Sequence, residues 1–227
     1  MQYLNLERRF DIYANTHKAL RAYLSHVLMD VGRADWRDAE DRDPMLTMVR
    51  ELLGVCHAHL ELENSVIHPA MEARRPGCTR HAVDEHVGQL FAIDVLFDLV
   101  DTVEAASIPD RPLAGQRLYR ELAVFAAQNF EHMAFEEAEH NRVLWACYSD
   151  DEIRALDKIM LATVSPDQHK VVLTWMLPHL NPTERAETLV GMRLAQSPEN
   201  FQRLLGVLRG QLPSKDWGKL TAALGAL

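Results

Sequence analysis

The residues of this chain that stand out chemically are histidines and glutamates placed where apolar side chains are expected. The chain has 227 residues and 11 histidines. Two pairs share the pattern His-x-x-x-Glu, namely His59 with Glu63 and His132 with Glu136. Residues four apart lie on one face of an α-helix, so both members of each pair can point at one centre.

Four apolar segments each carry a histidine in register with their apolar positions, and two of them also carry the glutamate. A buried glutamate without a partner is strongly unfavourable, and the nearby Lys18 and Arg21 flank the apolar face without lying on it. A lone histidine on such a face is more often a hydrogen-bonded core residue, and a lone His/Glu pair is usually solvated. Six histidines and glutamates in register on four segments favour a bound metal ion. The six predicted ligands are His17, His59, Glu63, His86, His132 and Glu136.

The ligand types indicate which metals would bind. Neutral imidazoles and carboxylates suit iron(II), iron(III) and manganese, and no thiolate is positioned to favour zinc or copper(I). A zinc ion in a structural role is the remaining alternative. The segment HLELEN at 59–64 parallels HMAFEE at 132–137, and the segment around His17 parallels the one around His86. This repetition predicts two ions, each held by two imidazoles and bridged by two carboxylates.

Other histidines are weaker candidates. His57 belongs to a second His-x-x-x-Glu pair, but it is off the apolar face and is predicted to face solvent. His81, five residues before His86, is a weak ligand candidate. His140, four residues after Glu136, is either a further ligand or a group that supports one. Structural or exposed positions are expected for His26 and His68.

The segments that carry these residues have apolar positions spaced alternately by three and four, which is typical of helices packed in a bundle. We expect helices over about residues 6–31, from Asp43-Pro44 to the RRPGC segment, from Thr79 to the SIPDRP segment, and over about 112–148. The apolar face of the second is expected to include Val66 and Ala70, and that of the third Val83. The prediction is an all-α protein with an antiparallel four-helix bundle over residues 1–148.

Residues 149–227 show a different pattern, that of short helices. Cap-plus-proline signals start at Ser165, Asn181 and Ser197, Ser149 is a further cap, and Pro213-Ser214 starts a last helix. No paired ligands occur here. We interpret this C-terminal extension as a packing or docking element, whose expected partner is a second copy of the chain or another protein.

Composition and charge exclude several classes of function. Apolar residues make up 48% of the chain and the net charge is −9. The first 150 residues hold 15 basic and 25 acidic groups, so no binding to nucleic acid or to an anionic membrane is expected. The N-terminus lacks the apolar stretch of a signal peptide, and three scattered cysteines favour a reduced protein, which together predict a cytoplasmic location.

The order and spacing of the six residues resemble the hemerythrin-like (HHE cation-binding) family of four-helix bundles, over about residues 6–148. This resemblance implies a non-haem di-iron centre with an oxo or hydroxo bridge, four terminal histidines and two bridging glutamates. Oxygen-carrying hemerythrins have two histidines four apart on the third helix, whereas His81 and His86 are five apart. They also have an aspartate five residues after the histidine of the fourth helix, where this chain has Glu136 four residues on.

A dedicated oxygen carrier is therefore less expected than a protein that binds, senses or scavenges dioxygen, peroxide or nitric oxide, or that handles iron. Two alternatives stay open. One is a di-iron peroxidase or oxidase, although no motif for an organic substrate is present. The other is an iron-responsive interaction protein that acts through its C-terminal helices.

Overall fold

The computed structural model describes residues 9–225, and within that range most of the chain is helical and no β-strand occurs. Two short π-helical turns interrupt the α-helices. The α-helices are α1 (Ala14–Arg33), α2 (Ala39–Leu62), α3 (His68–Arg74), α4 (Arg80–Ala105), α5 (Arg111–Phe135), α6 (Asn141–Cys147), α7 (Asp150–Thr163), α8 (Pro166–His179), α9 (Pro182–Ala195), α10 (Pro198–Gln211) and α11 (Ser214–Gly225).

Each π-turn begins at one of the predicted glutamate ligands. The first, Glu63–Ile67, joins α2 to α3, and the second, Glu136–His140, joins α5 to α6. In a π-turn the backbone N–H bonds to the carbonyl five residues back, so each turn inserts one residue into the helix.

The inserted residue changes which side chains face inward after Glu63. Ile67 and Met71 are completely buried, whereas Val66 and Ala70 are only half-buried. The prediction of an apolar face through Val66 and Ala70 is therefore wrong by one residue, because it assumed an uninterrupted α-helix.

Two helix starts also differ from the prediction. Helix α1 begins at Ala14, because the Asp11 carboxylate accepts hydrogen bonds from the amides of Tyr13 and Ala14 (2.9 and 3.1 Å). Residues 6–8 of the predicted helix lie outside the described residues. Helix α2 begins at Ala39 rather than at Asp43-Pro44, because the Asp38 side chain caps it, and Pro44 lies inside the helix.

The third predicted helix is correct in its start but not in all of its details. Val83 is exposed, and the core position is taken by Ala82, four residues before His86. Thr79 precedes α4, but its hydroxyl donates to Glu72 (2.6 Å) and does not cap the helix. The same Glu72 carboxylate accepts from the amides of Gly77 and Thr79, which closes the loop between α3 and α4.

The chain divides into two compact units. Over the described part of the chain, the first comprises residues 9–14 together with Tyr23–Ser165, so that α7 belongs to it. Within it α4 packs against both α2 and α5, and the Tyr23 hydroxyl of α1 donates to Glu51 of α2. One of its buried clusters consists of Ile12, Tyr13, Ile67, Met71, Val143, Leu144 and Ile153.

The second unit comprises Asn15–Ala22 and residues 166–225. Its short helices are confirmed where predicted, with side-chain caps at Asn181 and Ser197, and the cap of α7 at Ser149 is confirmed as well. The buried residues of its core are Leu177, Leu189, Phe201, Leu208, Leu212 and Leu220.

Over residues 9–225, no helix combines the length and the apolar character needed to cross a bilayer.

Candidate metal centre

Four of the predicted ligands converge inside the first unit. Glu63 and Glu136 come from the two π-turns, His86 comes from α4 and His132 from α5, and each of the four is buried. One ligand atom from each lies within 4.8 Å of the other three. Such a group of two imidazoles and two carboxyls could hold a metal ion.

The two histidines of this group have their inward nitrogens within hydrogen-bonding distance of each other. His86 Nε2 lies 2.9 Å from His132 Nε2. Their outward nitrogens contact oxygen acceptors, His86 Nδ1 with Asn64 Oδ1 at 2.9 Å and His132 Nδ1 with Glu85 Oε2 at 2.7 Å. When each Nδ1–H donates to its oxygen, the lone pair of each ring is on Nε2.

Two nitrogen lone pairs at that distance repel each other unless a proton or a metal ion lies between them. With metal–nitrogen bonds of about 2.1 Å, neighbouring donors of an octahedral ion are about 3.0 Å apart. The spacing of the two Nε2 atoms therefore fits two adjacent ligands of one cation, and Asn64 and Glu85 hold both rings in the ligating tautomer.

Glu63 has its two oxygens directed at different imidazoles. Oε1 lies 3.2 Å from His59 Nε2, and Oε2 lies 3.5 Å from His86 Nε2. His59 and both carboxyls also offer ligand atoms within 4.8 Å of one another. A carboxylate whose two oxygens lie beside different imidazoles could contact a cation beside His59 and another beside His86.

The surroundings disfavour charge on these groups in the absence of a cation. Burial, and next the neighbouring Glu63, raise the pKa of Glu136 well above the ordinary range. Burial lowers the pKa of His86 to about 3, although the nearby Glu63 opposes that change. Without metal, burial thus favours the neutral forms of His86 and Glu136, and a bound cation would favour the ionised form of Glu136 instead.

The sixth predicted ligand, His17, is completely buried on α1. Its segment, Asn15–Ala22, belongs with the second unit. Its role as a ligand stays a prediction.

The weaker candidates separate clearly. His57 is exposed, as predicted. His81 has a side chain that is 58% exposed and contacts Glu85, and among the described residues it joins no cluster of ligand atoms. His140 is completely buried, with Nδ1 3.1 Å from the Tyr13 hydroxyl.

His68 is the residue that the sequence reasoning missed. The prediction for it is a structural or exposed position; it is 4% exposed, which excludes the exposed alternative, and it lies with Glu136 and His140 in a further group of ligand atoms. Five residues after Glu63, an α-helix would place it about 140° away around the axis, and the π-turn restores it to the inner face. The available signal was that a histidine follows the glutamate in both halves of the chain, by five residues and by four.

Comparison of the chain with protein-family models, with curated proteins and with solved structures returns no match.

Proposed function

We propose that this protein is a non-haem metal-binding protein of the hemerythrin-like class, with a pair of iron ions inside a four-helix bundle. The observation that carries the proposal is the pair of imidazole nitrogens 2.9 Å apart, His86 Nε2 and His132 Nε2, with both outer nitrogens already hydrogen-bonded. Its function would be to bind, sense or scavenge dioxygen, peroxide or nitric oxide, or to handle iron.

The bundle arrangement is supported by contacts near both ends of two helix pairs. In each pair an early residue of one chain segment meets a late residue of the other, as antiparallel packing requires. Between the segments of α1 and α5–α6, Tyr13 meets His140 and Gly32 meets Tyr119. Between the segments of α2 and α4, Arg50 meets Asp101 and Asn64 meets His86.

His17 is included as the sixth ligand on the basis of helix geometry. It follows Tyr13 by four residues, so it lies one turn further along the same face. That face also carries Leu20 and Leu24, which are buried.

The donor chemistry favours iron or manganese over softer ions. When bound, a redox-active metal pair with open coordination positions supplies a site for a small oxidant. The side chains of the protein position the metal pair and shield it from solvent. Glu63 contacts both metal positions, Asn64 and Glu85 fix the tautomers of His86 and His132, and burial excludes water.

The test is metal content with a visible spectrum, on protein made in iron-sufficient cells. We expect about two irons per chain and the absorption of a ferric pair. His59→Ala should lose metal, whereas His57→Ala, the same change two residues away on the exposed side of α2, should keep it. Protein without bound metal, or equal loss from both variants, would show that this group is not a metal centre.

A further inference from the structure

A second feature of the first unit is a group of three residues, of which only Glu136 belongs to the six predicted ligands. His68, Glu136 and His140 offer ligand atoms within 4.8 Å of one another, and all three are buried. The two histidines come from the ends of the two π-turns, His68 directly after the first and His140 at the end of the second.

Most ring nitrogens of these two histidines lack a hydrogen-bond partner among the described residues. Both ring nitrogens of His68, and Nε2 of His140, are buried without a hydrogen-bond partner among the described residues. A buried polar atom left in that state is destabilising, and folded proteins rarely retain one without a reason. A cation beside Glu136 is a partner that both rings and the carboxylate would share.

The one hydrogen-bonding contact of His140 favours ligation. Its Nδ1 lies 3.1 Å from the hydroxyl of Tyr13. When Nδ1–H donates to the phenol oxygen, the lone pair is on Nε2, which is the atom without another partner. Tyr13 is thus placed to hold His140 in the tautomer that binds metal.

The position is distinct from the pair of sites around Glu63. The Oε2 atom of Glu136 lies 3.4 Å from His132 Nε2, whereas Oε1 lies 3.5 Å from His140 Nδ1. Ligands of a single octahedral ion are at most about 4.2 Å apart, twice a bond of about 2.1 Å. Among the groups whose ligand atoms lie within 4.8 Å of one another, His68 and His140 occur only with Glu136. They would therefore hold an ion other than the two beside His59 and His86.

We propose that His68, Glu136 and His140 form a third cation position, for a divalent first-row metal that accepts nitrogen and oxygen ligands. The proposal rests on the proposed function through the shared Glu136. Two imidazoles and one carboxylate leave up to three octahedral positions for water or a small ligand. The third ion binds more weakly than the first two, because three cations then share two buried carboxylates.

The test is anaerobic equilibration of the metal-free full chain with iron(II), with bound iron counted per chain as free iron(II) is raised. We expect the wild type to bind two ions and then a third at higher concentration. The double variant His68→Ala/His140→Ala should stop at two, and Tyr13→Phe should weaken only the third step, by about 10-fold. His57→Ala, the matched control, should behave as the wild type.

The possible results separate the two proposals. A wild type that stops at two ions, with the double variant unchanged, overturns the third position and leaves the pair standing. A double variant that folds by circular dichroism but loses every ion assigns both histidines to the pair, which also overturns it. A wild type that binds no iron overturns the proposed function itself. If the double variant does not fold, His68→Gln provides the same comparison.

Discussion

Replacing Glu136 by glutamine should change stability in opposite directions with and without metal. The Glu136 side chain is completely buried, with Oε2 3.4 Å from His132 Nε2, and burial together with Glu63 raises its pKa. Glutamine has the same size but no charge. In metal-free protein at neutral pH, the removal of a buried ionisable group should raise the free energy of unfolding by about 1–4 kcal/mol.

The pH dependence of this gain follows from the raised pKa. Below the ordinary glutamate value of 4.5 the carboxyl is protonated in both the folded and the unfolded chain, so the two proteins should be equally stable. As the pH rises, only the unfolded wild type ionises freely, and the wild type loses stability relative to Glu136→Gln. The difference should therefore grow from pH 4 to pH 7.

Iron should reverse the order. An ion that binds only the folded chain stabilises it by about 2.7 kcal/mol at 100 times its dissociation constant. An amide is a poor substitute for a bridging carboxylate, so the variant should gain little from iron(II). Since about 1 kcal/mol corresponds to about 2–4 °C in a chain of this size, the metal-dependent shift in Tm should fall from several degrees to near zero.

The assay is thermal and urea unfolding of both proteins, with a chelator and with iron(II). Glu131→Gln, an exposed position on the same helix α5, is the control and should match the wild type in both conditions. If Glu136→Gln is less stable than the wild type without metal, or gains as much from iron, the charge argument for this centre is refuted.

Three further predictions concern packing, a loop and the second unit. Gly115→Ala should lower the free energy of unfolding by about 1–3 kcal/mol, because a Cβ there would overlap the buried Trp36 indole. Gly54→Ala is the control: a Cβ there has nothing within 4 Å, so it should raise the free energy of unfolding by up to about 1 kcal/mol. Hydrogen bonds from a loop hydroxyl and two amides lower the pKa of Glu72 to about 2. Above pH 4.5 the free energy of unfolding of the wild type should therefore exceed that of Glu72→Ala by about 1 kcal/mol. Urea unfolding at a series of pH values should show this difference disappear as the pH falls toward 2. Arg185 is buried and donates to three carbonyls at the end of α8, so Arg185→Met should cost about 2–4 kcal/mol in urea unfolding, while the exposed Arg193→Met on the same helix should cost almost nothing.

Much of the helical pattern could be read from the chain because it depends on local periodicity. The inward positions of His59, Glu63, His132 and Glu136, and the outward position of His57, follow from the 3.6-residue period of an α-helix. The helix starts were harder, because several residues can cap a helix and the pattern does not say which one does. Asp38 caps α2 although Asp43-Pro44 has the stronger local signal.

The π-turns mark the limit of this reasoning. A single inserted residue has no characteristic sequence, and its hydrogen bonds are poorer than those of an α-helix, so it persists only where packing compensates. Here the compensation is the burial of Ile67 and Met71, and with them His68, on the inner face.

The sequence by itself therefore determined that the first unit would be helical and that imidazoles and carboxyls would occupy its apolar faces, because both depend on spacing along one helix. Only the tertiary structure decided the 2.9 Å approach of His86 to His132, their hydrogen bonds to Asn64 and Glu85, and the inward position of His68. Those features depend on how separate helices meet, and on a change of register that packing, rather than local sequence, stabilises.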